Sequence, residues 1–333
     1  MSIQVVQVST DPPYQVQIGP NALAGWAEAC EGADACALIA DSHVHELHAQ
    51  ALPGIADLPL RLLPRGEAAK RWTLLGETLE FLSGARLSRK SVVLALGGGA
   101  TCDHAGLAAS LFKRGCSVVH FPTSLLAQVD ASVGGKTAIN LAAGKNLAGS
   151  FHQPRAVFAD TNLLYTLDDD ELRSGLGEVL KTALLDGDEA FRALEANAES
   201  LVERAPQFLA EAVERCVRTK ARIVAADPTE RGLRRALNLG HTFAHAIEHC
   251  AGYGTIPHGV AVAAGLGLAL EAGALRGSTS PELVARTRSV AERLGLPADL
   301  DELRQSSGQA LPAEALIEAL ANATAERRLS PLA

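Results

Sequence analysis

The segment VVLALGGGATCDHAG, residues 92–106, decides how the fold is read. An apolar run of the length of a buried strand passes through Gly97, Gly98 and Gly99 into a helical pattern. Three glycines let backbone N–H groups approach a ligand closely, and the start of the following helix favours an anion. The spacing differs from the GxGxxG fingerprint, and Asp103 lies in the first helical turn. We read the turn, in its α/β setting, as a pyrophosphate site.

That setting comes from the flanking sequence. ACALIAD (35–41), LPLRLLP (58–64), SVVLALGGG (91–99), CSVVHFP (116–122) and AVFAD (156–160) read as strands. AAKRWTLLGETLEFLSGA (68–85) and ATCDHAGLAASLFKRG (100–115) read as helices. Alternation at this spacing predicts a mostly parallel sheet covered by helices. Beyond about residue 165 strand signals end, and helical periods such as QFLAEAVERCVRTKARIVAAD (207–227) take over. The expectation is an α/β domain over 1–162 followed by an all-α domain over 163–333.

Composition excludes several classes. The 333 residues are 47% hydrophobic and 20% charged, and the net charge of −8 gives no electrostatic footprint for nucleic acid or an anionic membrane. MSIQVVQVST lacks the basic start and long apolar stretch of a secretory leader. GVAVAAGLGLALEAGAL, broken by glycines and Glu271, is read as a buried helix short of a membrane span. Six cysteines without a CxxC pair argue against a disulfide framework or zinc knuckle and for a reducing cytoplasm.

Lysine is scarce: seven against 23 arginines. A chain that draws its surface cations from arginine keeps lysine where a compact ammonium on a flexible stem matters. Lys136 and Lys145, in the glycine-rich stretches VGGKTAIN and LAAGKNLAG, are therefore candidate ligand contacts. In LNLGHTFAHAIEH (237–249), His241, His245 and His249 recur every four residues. Extended backwards, Arg234 and Asn238 join the same helical face, a polar stripe suited to a wet cleft, with His249 the member best explained as core. HxxxH lacks the Glu that a zincin helix needs after its first His, since Thr242 follows. An open zinc site takes three protein ligands. His258, in YGTIPHGVAV, and Glu178, in SGLGEVLKTALL with Lys181 three residues on, are the outside candidates.

Taken together, GGGATCD, FPTSLLAQVDASVGGKTAIN, GKNLAGSFHQP, GLGEVLK, LNLGHTFAHAIE and PHG resemble, in order and spacing, the 3-dehydroquinate synthase family. The resemblance spans about residues 12 to 275. It implies a Rossmann-like α/β N-terminal domain, an all-α C-terminal domain, NAD, and one divalent metal ion, Zn2+ or alternatively Co2+. The metal ligands it implies are Glu178, His241 and His258. The NAD contacts it implies are Asp41, Glu67, Lys70, Gly98, Gly99, Asp103, Thr123, Ser124, Lys136, Lys145 and the stretch Leu163 to Thr166. The implied substrate, 3-deoxy-D-arabino-heptulosonate 7-phosphate, carries a carboxylate for Lys220 and Arg234, and a phosphate for Lys136, Asn146, Asn238 and His245. Asp130 and Lys181 would shape hydroxyl protonation, and Arg114 would reach a neighbouring subunit in a homodimer. Five of the seven lysines fall on these positions, which accounts for their scarcity elsewhere. The implied reaction, a step of the shikimate pathway, couples transient oxidation by NAD to phosphate elimination and intramolecular aldol closure.

Three departures accompany the resemblance. Cys102 stands where a small glycine is usual, and Ser124 where threonine is usual. The chain ends in LANATAERRLSPLA in place of an Asp-Lys-Lys hairpin, with Arg327 and Arg328 as candidate stand-ins, so weaker phosphate binding or a compensating partner surface is expected. The alternatives are another sugar-phosphate cyclase, a metal-dependent NAD polyol dehydrogenase, or a non-catalytic sugar-phosphate binder.

Overall fold

The structure is a computed structural model, and it describes residues 2–48, 54–55 and 57–329. Along the first half run β1 (Gln4–Val8), β2 (Tyr14–Gly19), β3 (Cys36–Asp41), α1 (Ser42–His48), β4 (Leu60–Leu63), α2 (Trp72–Gly84), β5 (Val92–Gly97) and α3 (Gly99–Leu111). There follow β6 (Ser117–Pro122), β7 (Lys136–Leu141), β8 (Gly144–Phe151) and β9 (Ala156–Asp160). Seven strands form one sheet in the order β1-β2-β9-β6-β5-β3-β4, parallel except where β1 meets β2.

The strand runs are continuously apolar because both sheet faces are covered. Side chains alternate across the sheet. Ile39, Val93, Ala95 and Val118 bury one face under Leu75 and Leu82 of α2 and Ala105, Ala108 and Ala109 of α3. Leu38, Leu94, Leu96, Val119 and Phe121 bury the other face with Leu23, Ile55 and Leu163. All five expected strands and both expected helices form. Two pairs went unread. β1 and β2 were missed, and β7 pairs with β8 in an antiparallel hairpin with a bulge between Ile139 and Leu141. Lys136 opens β7 and Lys145 lies in β8, so the stretches read as glycine loops are a hairpin.

The second half is helical: α4 (Asp169–Asp186), α5 (Asp188–Val202), α6 (Pro206–Ala226), α7 (His241–Ala251), α8 (His258–Leu275), α9 (Pro281–Arg293), α10 (Leu300–Ser307) and α11 (Ala313–Leu329). Two compact units result, one comprising Met1–Leu167 with Ala210–Pro228, the other Asp168–Leu209 with Thr229–Ala333. Most of α6, with Lys220, thus groups with the α/β part, whereas a single boundary had placed it in the helical half. The side chains of Arg327 and Arg328 lie outside the described residues.

α8 bears out the reading of a buried helix and revises only its length. By length and composition alone its 18 residues suffice to cross a membrane. Its first turns are buried instead against α4 and α7, with Ala261, Val262, Ala264 and Leu266 inaccessible. The contact is backbone-close: a Cβ added at Gly177 of α4 would lie 2.0 Å from the carbonyl oxygen of Gly259 in α8. A Cβ at Gly259 would lie 1.7 Å from that of Ser174. Only glycine permits this approach.

Candidate functional site

In the α/β unit the order of strands reverses between β3 and β5, since β4 lies outward of β3 and β6 outward of β5. Ligands of open α/β sheets bind at such a switch point, beyond the carboxyl ends of the strands. Those ends carry Asp41 on β3 and Gly97–Gly98–Gly99 on β5, so the segment with which the reading began lies where the topology demands it. A Cβ at Gly97 would lie 2.6 Å from Thr101 Oγ1 and one at Gly99 3.0 Å from the Ala131 Cβ, so Gly97 has no room for a side chain and Gly99 little. Thr123 and Ser124 follow β6 directly; the Thr123 N–H donates to the Gly97 carbonyl at 3.0 Å. The Asp41 carboxylate accepts from the N–H groups of His43, Val44 and Gly66, which ties the edge of the crevice to the start of α1. Leu163 and Thr166 sit on a 3-10 turn whose Thr166 hydroxyl meets His48 Nε2 at 2.9 Å.

A buried cation organises the next group. Lys70, 2% exposed, donates to Asp103 Oδ2 at 2.5 Å and to Asn146 Oδ1. Burial pushes the Asp103 carboxyl up, against the pull of the Lys70 ammonium. The Asn146 N–H donates to Asn140 Oδ1 at 2.9 Å, and Asn140 Nδ2 donates to Glu67 Oε2 at 2.7 Å. This network binds the β7–β8 hairpin to α3. It also sets Asn146, expected beside phosphate, in contact with the expected NAD contact Lys70. Glu67 and Lys70, with Arg71, Trp72 and Asn140, line an open groove of about 580 Å3. Elsewhere in the unit Lys220 donates to the Asp130 carbonyl at 2.7 Å and to its carboxylate. Arg114 is exposed, in a turn where Lys113, Arg114 and Gly115 all have positive φ.

The helical unit holds the second constellation. Glu178 of α4, His241 at the start of α7 and His258 at the start of α8 bring three ligand atoms within 4.8 Å of one another. Glu178 Oε1 lies 3.5 Å from His241 Nε2 and 3.6 Å from His258 Nε2. The glycine crossing of α4 and α8 makes this possible. Gly240, at φ +78°, turns the chain into α7 with its Cβ position 2.9 Å from the Leu266 backbone nitrogen. That turn breaks the stripe expected on one helix. Arg234 and Asn238 lie on a separate 3-10 turn, Leu233–Asn238, where Arg234 is 1% exposed and Asn238 Nδ2 donates to Glu230 Oε1 at 2.7 Å.

The outer nitrogens of both histidines are oriented from behind. His241 Nδ1 lies 3.2 Å from the Leu239 carbonyl, and His258 Nδ1 lies 3.4 Å from the Glu248 carboxylate. Each contact turns Nε2 towards Glu178, the arrangement by which metal-ligating histidines are fixed. Burial lowers the His241 pKa to about 4. Burial opposes charge on His258 too, but the Glu248 and Glu178 carboxylates outweigh it and its pKa is raised. Lys181 pairs with Glu178, as their spacing predicted. One carboxylate and two imidazoles, three ligands in a closed setting, suit a zinc-like ion with an open position. His245 is exposed, its ring centroid 5.6 Å from that of His241 and 6.4 Å from that of His258. His249, read as core, is exposed beside Tyr253. Glu248 was missed although its signal was available: an acid two turns along the His241 helix, next to apolar Ile247 and one turn after Ala244. Asn140 gave none, because its side-chain partner Glu67 lies 73 residues away in sequence.

Comparison with known proteins places most of the chain beside one family. Residues 61–174 match the family described as 3-dehydroquinate synthase N-terminal, and residues 175–322 the family 3-dehydroquinate synthase C-terminal. The 3-dehydroquinate synthase of Paracoccus denitrificans is 44% identical over 91% of this chain and 85% of its own length. That of a Ruegeria species is 42% identical over 92% and 84%. Among solved structures, ValA, a 2-epi-5-epi-valiolone synthase from Streptomyces hygroscopicus with NAD+ and Zn2+ bound, superposes with a TM-score of 0.82 at 30% identity, covering 94% of this chain and 87% of its own. With both family regions matched in sequence over most of its length, the chain belongs to the 3-dehydroquinate synthase family.

Proposed function

We propose that this chain converts 3-deoxy-D-arabino-heptulosonate 7-phosphate to 3-dehydroquinate and phosphate, as a lyase of the shikimate pathway. The single observation that carries the reading is the Glu178–His241–His258 trio, with both histidines oriented from behind, in a chain that matches both regions of this family. The polyol dehydrogenase alternative is not favoured, because the relatives that share 42–44% of its residues over nine-tenths of the chain are 3-dehydroquinate synthases.

The trio would hold Zn2+, a Lewis acid towards neighbouring hydroxyls. The glycine turn would hold NAD, which supplies a transient, fully reversed oxidation. The rest of the chemistry falls to this chain's side chains. Lys220 and Arg234 would take the substrate carboxylate, Arg234 with the planar fork that matches it. Lys220, paired with Asp130 in the absence of substrate, would exchange part of that pairing for the incoming carboxylate. Asp130 would thereby be released to accept a proton from a substrate hydroxyl. Lys181, whose partner is Glu178, would adjust the charge beside the substrate hydroxyls. Lys136, Asn146, Asn238 and His245 remain the phosphate contacts, Asn146 through its link to Lys70. We further propose residues 1–162 and 163–333 as the nucleotide and the metal-substrate halves, with Lys220 supplied to the former by α6. Exposed Arg114, on a turn of positive φ, supports a homodimer in which it serves a second subunit. Six free thiols support a reducing cytoplasm.

The test mixes protein, NAD, Zn2+ and the sugar phosphate, and follows phosphate release and nicotinamide absorbance together. Phosphate release that requires NAD, stops with a chelator and leaves no net NADH is expected. NADH accumulating on polyols, or no phosphate release, would overturn the reading.

A further inference from the structure

The strands β6 and β9 are adjacent, yet their ladder ends early. The last paired residues are His120 and Val157, and beyond them Phe121, Pro122 and Phe158 to Asp160 diverge. Phe121 and Phe158 meet edge to face in the opening, 5.8 Å between centroids. The two strand-end carbonyls left in it, those of Pro122 and Asp160, are bonded by one atom. Gln128 Nε2 donates to Pro122 O at 3.1 Å and to Asp160 O at 2.9 Å. Both of its hydrogens are used, and both partners are acceptors, so the amide's orientation follows from the network. Gln128 is wholly buried, and its Oε1 has no hydrogen-bond partner among the described residues. A leucine or methionine would fill the same volume without a stranded acceptor. The molecule therefore retains the residue for its two donors.

What those donors join is specific. Pro122 runs directly into Thr123 and Ser124. Asp160 caps the 3-10 turn bearing Leu163 and Thr166. Gln128 itself lies in the π-helical turn Ala127–Ala131 that carries Asp130. Such turns recur at functional sites, where an extra residue re-aims a side chain. The turn is also held from outside by Lys220, at the Asp130 carbonyl. Ser132 closes it, its hydroxyl donating to the Ala127 carbonyl at 2.7 Å.

We propose that Gln128 is a positioning residue that locks three functional segments, the two expected NAD-contacting strand ends and the Asp130 turn, into one register. It rests on the function proposed above for Asp130 and the NAD contacts. Removing the donors frees the strand ends and lets Asp130 drift relative to the cofactor, and a misplacement of about 1 Å costs on the order of 100-fold in rate.

The experiment compares wild type, Gln128→Met and Gln128→Glu in full-length protein. It reads the melting midpoint, NAD affinity by fluorescence titration, and kcat and KM against pH. Gln128→Met, near-isosteric and without donors, is expected to lower kcat by about 10- to 100-fold with little change in sugar-phosphate KM, and to weaken NAD binding. Gln128→Glu offers one O–H donor while protonated, a state that burial favours. Its kcat should lie above that of Gln128→Met at low pH and fall away as pH rises, a limb absent from wild type. If Gln128→Met melts lower yet keeps wild-type kcat and NAD affinity, or if Gln128→Glu parallels wild type at every pH, the residue is structural only and the proposal fails. If Gln128→Met does not fold, the pH limb of Gln128→Glu decides. A wild type that binds NAD but releases no phosphate would refute the proposed function, and the NAD affinities of the two variants would still judge Gln128.

Discussion

The two constellations are built from different materials. The glycine turn of the α/β unit is a backbone site: its groups are strand ends, N–H donors and glycines with little or no room for a Cβ. The trio of the helical unit is a side-chain site, with each ligand on a different helix and each helix placed by a glycine contact. A backbone site follows once the strand order is fixed, because any βα turn at the switch point presents its amides outward. A side-chain site depends on the approach of three helices, and the approach distance depends on single atoms.

Three substitutions and a pH effect sharpen or break that contrast. The largest effect belongs to a ligand. His258→Ala is expected to lower kcat on the order of 1000-fold, the rate equivalent of the several kcal/mol a Lewis acid supplies. A steady-state assay showing less than about tenfold loss would remove His258 from the site. Next is Gly177→Ala, whose added carbon would lie 2.0 Å from the Gly259 carbonyl oxygen. Forcing α4 and α8 apart should cost about 3 kcal/mol in urea unfolding and weaken metal binding together with stability. Unchanged stability would mean that the crossing is looser than described. The opposite sign is expected of Gly76→Ala, in α2, where no atom of the described residues lies within 4 Å of the new carbon. That change should stabilise by about 0.5 to 1 kcal/mol without altering activity.

Between these lies a pH effect to which two buried histidines of the α/β unit contribute, beside His241 of the helical unit. Burial depresses His104 to about 4 and His120 to about 3. The unfolded imidazoles titrate near 6.5, so below that value the unfolded chain binds more protons than the folded one. Stability is therefore full above about pH 6.5 and falls as the pH drops towards the two depressed values. Urea midpoints should decline across that window, and replacing both histidines by glutamine should flatten the slope. An unchanged slope would locate the acid sensitivity elsewhere.

The same contrast explains what could be read in advance. Continuous apolar runs announced β3, β5, β6 and β9, because both faces of a parallel sheet are buried and every position reports it. β1 and β2 were lost because Gln4, Gln7, Gln15 and Gln17 break their apolar residues into no continuous run, and the β7–β8 hairpin because its glycines mimic a loop. Glu178, His241 and His258 were legible as residue types and through family resemblance. The stripe that joined Arg234 and Asn238 to the histidines was not real, since periodicity cannot register one left-handed glycine at position 240. Gln128 and Asn140 left no trace, because their partners are strand ends and side chains that only the fold brings to them.

The most direct test of two separately built sites is one sample of Glu178→Gln, assayed for bound zinc by elemental analysis and for NAD affinity by titration. Zinc should be lost while the NAD dissociation constant stays within about twofold of wild type, as expected of independent sites. Retained zinc, or NAD binding lost along with the metal, would contradict the account.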